Sequence, residues 1–134
     1  MDWKLEVVVV PVRDVDRSKK FYSEQVGFNV DVDRSMGDSF RVVQLTPPGS
    51  GCSISIGIGL SGGEPGSLKG LQLVVADVDA ARAQLAENGV DVTEVRHVED
   101  GGWVPGHGGD WNSFIFFDDP DGNSWTVQQA PAKR

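Results

Sequence analysis

His97 and His107 are the two histidines of the chain, and Glu99, Asp100 and Asp110 lie close to them in sequence. Imidazoles and carboxylates that converge on one point hold divalent metals or move protons. The spacing here follows no established ligand pattern. His97, on a strand beside Arg96 and Glu99, reads as a surface or hydrogen-bonded histidine. His107 sits among glycines between Trp103 and Trp111. Two readings stand side by side for that segment: the indole rings stack on a flat ligand with the imidazole as a proton switch, or they anchor the loop to the rim of the protein. Asp110 is the other candidate acid or base. Cys52 is the single cysteine, which excludes an intrachain disulfide and fits a reducing cytosol. Nothing beside it in sequence would activate the thiol, so it reads as a small core residue.

The elements that must position these groups repeat. DVDRSKKFYSEQVGF from Asp14 is answered by DVDAARAQLAENGV from Asp77, each entered from an apolar run. Residues 5–12 form a β-branched run interrupted by Glu6 and Pro11, expected as a strand packed on both faces. Asp14 or Asp16 caps the following helix, with Val15, Ser18, Phe21, Tyr22 and Val26 on one side and Gly27 at its end. Strands are expected over 28–34, 40–46 and 52–59, with the turn Pro47-Pro48-Gly49-Ser50-Gly51 before the last. Gly62 to Ser67 reads as a linker. A strand over 68–76, a helix closed at Gly89 and a strand over 92–98 then restate the plan. A glycine-rich segment, GGWVPGHGGDWN, follows, and strands over 112–118 and 123–129 flank the turn Asp119-Pro120-Asp121-Gly122.

Two such halves are too small to close separate cores. The reading is one α+β domain over 1–134, made of two βαβββ modules at about 4–60 and 68–130 joined by the Gly-rich linker. Alternation directs Val7, Val9, Ser53, Ser55, Gln72, Val74, Ser124, Thr126 and Gln128 toward a cavity. Arg41 and Gln44 take opposite faces of one strand. Trp3 and Trp125 read as packing residues, and the acidic residues Asp31, Asp33, Glu99 and Asp100 as solvated strand edges.

Of 134 residues, 39% are hydrophobic and the formal charge is −8. That charge repels phosphate backbones and anionic lipid surfaces, so neither nucleic acid nor membrane is an expected partner. The first apolar run is far too short to span a bilayer, and the expected location is cytoplasmic.

The order of the two halves, the Asp-Val-Asp helix entries, Phe21-Tyr22, Gly27-Phe28 and the closing DPDGN of Asp119 to Asn123 together resemble the vicinal oxygen chelate superfamily. Glyoxalases, bleomycin and fosfomycin resistance proteins and extradiol dioxygenases belong to it. The resemblance implies two curled mixed sheets forming a cup, commonly in a homodimer, with a divalent metal held by His or Glu. Carried onto this sequence, the ligand positions fall on Val7, Ser55, Gly70 and Thr126. An aliphatic group, two hydroxyls and a bare backbone are not the donors a catalytic zinc, nickel or iron needs. The expectation is therefore no metal and no cofactor. The leading reading is a bleomycin-resistance-like binder of an aromatic or cationic small molecule, with Val7, Val9, Gln44, Ser55, Gln72, Trp103, His107, Trp111 and Thr126 lining its site. Two alternatives stay open: a metal-independent isomerase or cyclase of a natural-product intermediate using His107 or Asp110, and a metal-dependent lyase or dioxygenase.

Overall fold

The computed structural model describes residues 1–132, which fall into two compact units. The first comprises Met1–Leu68 together with Asp119–Asn123, and the second holds Lys69–Asp118 and the segment from Ser124 onward. The fold is α+β, with two mixed sheets and no closed barrel.

In the first unit the strands are β1 (Val7–Val9), β2 (Asn29–Met36), β3 (Phe40–Thr46) and β4 (Ser53–Ile58), in the sheet order β1-β4-β3-β2. β1 runs parallel to β4, and the other pairs are antiparallel. Helix α1 (Val15–Lys20) continues as a π-helical stretch, Phe21–Val26. Asp14, not Asp16, is the cap: its carboxylate accepts from the Arg17 N–H at 3.1 Å. Gly27 closes the helix at φ 93°, a conformation that costs glycine nothing. Val15, Ser18, Phe21 and Tyr22 are buried with Val43, Leu45, Ile54 and Ile56, which alternate along β3 and β4 and define the helix-covered face.

The turn Asp119–Asn123 is part of this unit's polar core. Fully buried Tyr22 donates its hydroxyl to Asp119 Oδ2 at 2.7 Å, and fully buried Asn123 donates to the Pro11 carbonyl at 2.8 Å. The Leu68 N–H donates to Asn123 Oδ1 at 3.0 Å. The segment expected as a linker is thus fastened: the Gly66 N–H reaches the Pro11 carbonyl, and a Cβ at Gly66 would lie 2.1 Å from the Asp121 carbonyl oxygen.

The second unit has β5 (Leu71–Val75), α2 (Val78–Glu87), β6 (Arg96–Glu99), β7 (Gly102–Pro105), β8 (Phe114–Asp118) and β9 (Ser124–Gln129), with the sheet order β5-β9-β8-β6-β7. Asp77 caps α2 through the Ala80 N–H. Gly89 at φ 85° and Val90, whose N–H returns to the Leu85 carbonyl, close it. α2 packs on β8 and β9, where Ile115, Phe117, Trp125 and Val127 are buried with Val78 and Leu85. Phe117 and Trp125 stack with parallel rings 6.0 Å apart.

The first strand is only Val7–Val9, and it is not packed on both faces, since Val7 is 39% exposed. Trp3 is not a core residue: it is 87% exposed, whereas Trp125 is buried. Cys52 is half-buried just before β4. Asp33 is not merely solvated, because Arg41 and Lys19 both bond its carboxylate. The glycine-rich segment begins as a strand: Asp100 (φ 51°) and Gly101 (φ 80°) make a two-residue turn that pairs β7 antiparallel with β6. The second half therefore has one strand more than the first.

Candidate functional site

The helix-free face of the second sheet carries the most distinctive chemistry. Strand pairing sets Thr126 beside Gln72 and Phe116, and Gln128 beside Val74 and Phe114. Phe114 also pairs with Arg96, which places Val98 and its partner Trp103 on the same face. Trp103 stands edge-on to Phe114 and Phe116, with ring centroids 5.2 and 5.1 Å away, while the two phenylalanines stack at 6.4 Å. Trp103 remains 51% exposed. A large apolar ring left half in water beside two others makes an exposed aromatic patch on this face.

Next to the rings lies a polar strip. Gln72 Nε2 donates to Gln128 Oε1 at 2.7 Å, and Gln128 Nε2 donates to the Trp111 carbonyl at 2.7 Å. Trp111 has φ 62°, a left-handed conformation that a bulky side chain adopts only where its surroundings impose it. Those surroundings are visible. The Asn112 side chain bonds both the N–H and the carbonyl of Val98 at 2.9 Å, like one more rung of the sheet. The Asn112 N–H reaches the Gly109 carbonyl, and its carbonyl accepts from Gly108.

His107 Nε2 lies 2.8 Å from Asp79 Oδ2, at the start of α2, and both side chains are partly exposed. Asp110 is exposed in the same loop. His97 bonds the Gly106 carbonyl at 2.8 Å and Glu99 at 3.1 Å. The Gly106 carbonyl first, and the Glu99 carboxylate second, raise its pKa above that of an ordinary imidazole. Both histidines thus fasten the segment at Gly106–His107.

A groove of about 290 Å³ runs along Asp91, Val92, Thr93, Phe116, Phe117 and Asp118, so Phe116 belongs at once to the aromatic cluster and to a hollow with an acidic rim. That volume approaches the lower end of small-molecule sites.

In the first unit, Val9 pairs with Ser55 and Ser55 with Gln44, forming one row of the helix-free face, while Val7 pairs with Ser53. Gln44 Nε2 reaches Ser53 Oγ at 3.5 Å, and Thr46 and Ser53 hydroxyls meet at 2.6 Å. Arg41 takes the opposite face, bonding Asp16 and Asp33, so Gln44 is the residue of this pair that belongs with the serines. The hollow beside Val9 and Gly62 holds about 70 Å³, room for water rather than for a drug-sized molecule. The positions that the resemblance marks for metal ligands are Val7 and Ser55 in this unit and Gly70 and Thr126 in the other. Such a donor set does not fit a catalytic divalent ion. Among the described residues, no group of three or more His, Cys, Asp or Glu side chains is arranged to hold one.

A sequence model of the glyoxalase, bleomycin resistance protein and dioxygenase superfamily matches residues 4–127. The chain belongs to this superfamily. Among solved structures of the superfamily fold it is similar to TnmS3, an antibiotic binding protein from Streptomyces sp. CB03234, with 33% identity, a TM-score of 0.77, and coverage of 96% of this chain and 97% of that one. It is also similar to a glyoxalase/bleomycin resistance protein from the same organism, at 34% identity and TM-score 0.74, over 94% of this chain and all of the other. The uncharacterized protein YetH of Bacillus subtilis (strain 168) is 23% identical over 128 residues, spanning 94% of this chain and 98% of its own. No described helix is long and apolar enough to cross a membrane.

Phe114 and Phe116 were absent from the residues expected at the site. The signal for them is in the sequence: alternation puts Thr126 and Gln128 on the same face, and the antiparallel strand across the DPDGN turn sets alternate residues of Phe-Ile-Phe-Phe beside them.

Proposed function

We propose that this superfamily member binds a flat, aromatic or cationic small molecule without a metal, as an antibiotic-sequestering protein. The observation that carries the reading is the half-exposed Trp103 set edge-on to Phe114 and Phe116, beside the Gln72–Gln128 strip. Aromatic side chains of this kind bind planar ligands through dispersion and quadrupole contacts with little loss of side-chain entropy. The acidic rim of Asp91 and Asp118 and the overall charge of −8 favour a ligand carrying positive charge. The likeness to an antibiotic binding protein supports the same class. Trp103, Trp111, His107, Gln72 and Thr126 are the contact residues of this site in the second unit; Val7, Val9, Gln44 and Ser55 line the helix-free face of the first unit by themselves.

Titration of a panel of planar antibiotics, followed by tryptophan fluorescence, should find at least one that binds at micromolar concentration. Trp103→Ala should then weaken that binding about tenfold, as expected for losing roughly 1–2 kcal/mol of aromatic contact. Wild-type protein that binds none of the panel would refute the reading.

The His107–Asp79 pair favours one second reading. A carboxylate 2.8 Å from an imidazole orients it for proton transfer, which would suit a metal-independent isomerase or cyclase. In that case His107→Ala abolishes turnover of a bound natural product and leaves its affinity unchanged. A homodimer accompanies either reading, supported by β2, an edge strand exposed along its whole length. Gel filtration should return twice the 14.4 kDa chain mass, and elution as a monomer would refute it.

A further inference from the structure

The two glutamines on the helix-free face of the second sheet have no freedom in which way their amides point. The Trp111 backbone oxygen can only accept, so Gln128 must present Nε2 to it, at 2.7 Å. Gln128 Oε1 is then turned toward Gln72, which must present its own Nε2, also at 2.7 Å. The relay therefore runs one way, from Gln72 through Gln128 to Trp111. Its free end is an oxygen, Gln72 Oε1, on an exposed residue. The terminus is itself fixed, because Trp111 is held at φ 62° by the Asn112 bonds to Val98.

Gln72, Thr126 and Phe116 lie side by side across three strands. Two strand spacings, roughly 10 Å, thus separate a hydrogen-bond acceptor from an aromatic ring. We infer that this face selects a planar aromatic ligand bearing a hydrogen-bond-donating substituent, a hydroxyl or an amine, which donates to Gln72 Oε1 while its rings pack against Phe116 and Trp103. Gln72 is the specificity-determining residue. A ligand carrying only acceptors at that point would meet oxygen with oxygen and leave both unpaired. The inference rests on the binding reading above and deepens it.

The test uses a congeneric pair, 2-naphthol and 2-methoxynaphthalene, which differ in whether the oxygen can donate. Equilibrium dialysis with wild-type protein should show 2-naphthol bound about fivefold more tightly, in keeping with one hydrogen bond. Gln72→Met removes the acceptor at similar length and should erase that preference while still binding both compounds. If the wild-type protein binds both compounds equally, or Gln72→Met keeps the preference, the inference is overturned and the binding reading stands. If neither compound binds wild-type protein while a planar antibiotic does, the inference is overturned and the binding reading stands; if no planar antibiotic binds either, both are overturned.

Discussion

Two residues hold conformations or contacts that single substitutions can measure. At Trp111 a side chain sits where glycine is the comfortable choice, at φ 62°. Relative to Trp111→Ala, Trp111→Gly relieves a left-handed backbone worth roughly 1–2 kcal/mol, so the glycine variant should be the more stable of the two in urea unfolding. Both should lose ligand affinity, because both lack the indole. Tyr22 makes the opposite case. Its buried hydroxyl donates to Asp119 at 2.7 Å, and Tyr22→Phe leaves that carboxylate one donor short, costing about 1–3 kcal/mol of unfolding free energy. An unchanged midpoint would show that the bond is not needed to hold the turn. At this scale the sequence was legible where one residue type has one use: an aspartate cap was expected at Asp14 or Asp16, and Asp14 supplies it. It was silent on Trp111's backbone and on the destination of His107, since both depend on partners distant along the chain, the Val98 that holds Asn112 and the Asp79 that meets His107.

Among the elements, β3 and β4 approach without slack at Gly57, where a Cβ would stand 1.9 Å from the Arg41 carbonyl oxygen. Backbone cannot yield that distance without breaking the ladder, so Gly57→Ala should lower stability by several kcal/mol or prevent folding, read by circular dichroism. Strand β2 is fastened to its surroundings by charge: Asp33 receives Arg41 and Lys19, and these bonds hold its carboxyl well below the usual carboxylate range. A depressed folded value means the contribution is present above the unfolded value, about pH 4, and fades as pH falls below it. Asp33→Asn should therefore be less stable than wild type at pH 7, with the gap closing progressively below about pH 4. A gap independent of pH would contradict this. The period-two and helical patterns located both helices and most strands. They missed β7 because its glycines read as loop, although Asp100-Gly101 between Val98 and Trp103 is a hairpin signal. They overextended the first strand because a run of valines marks apolar character and not the few residues that find a partner in β4.

For the whole molecule, the order of motifs gave the superfamily, and the match over residues 4–127 bears it out. The ligand lay beyond reach, because a fold shared by lyases, dioxygenases and binding proteins fixes no chemistry by itself. What narrows it is the content of the faces: hydroxyl, aliphatic and bare positions at Ser55, Thr126, Val7 and Gly70, and an aromatic cluster at Trp103, Phe114 and Phe116. Binding should therefore draw on ring contacts and amide hydrogen bonds, and be indifferent to divalent ions. Calorimetric titration of a bound planar antibiotic before and after exhaustive chelation tests that most directly. The same affinity is expected in both. A tenfold or greater loss on chelation, restored by adding back zinc, nickel or iron, would contradict it.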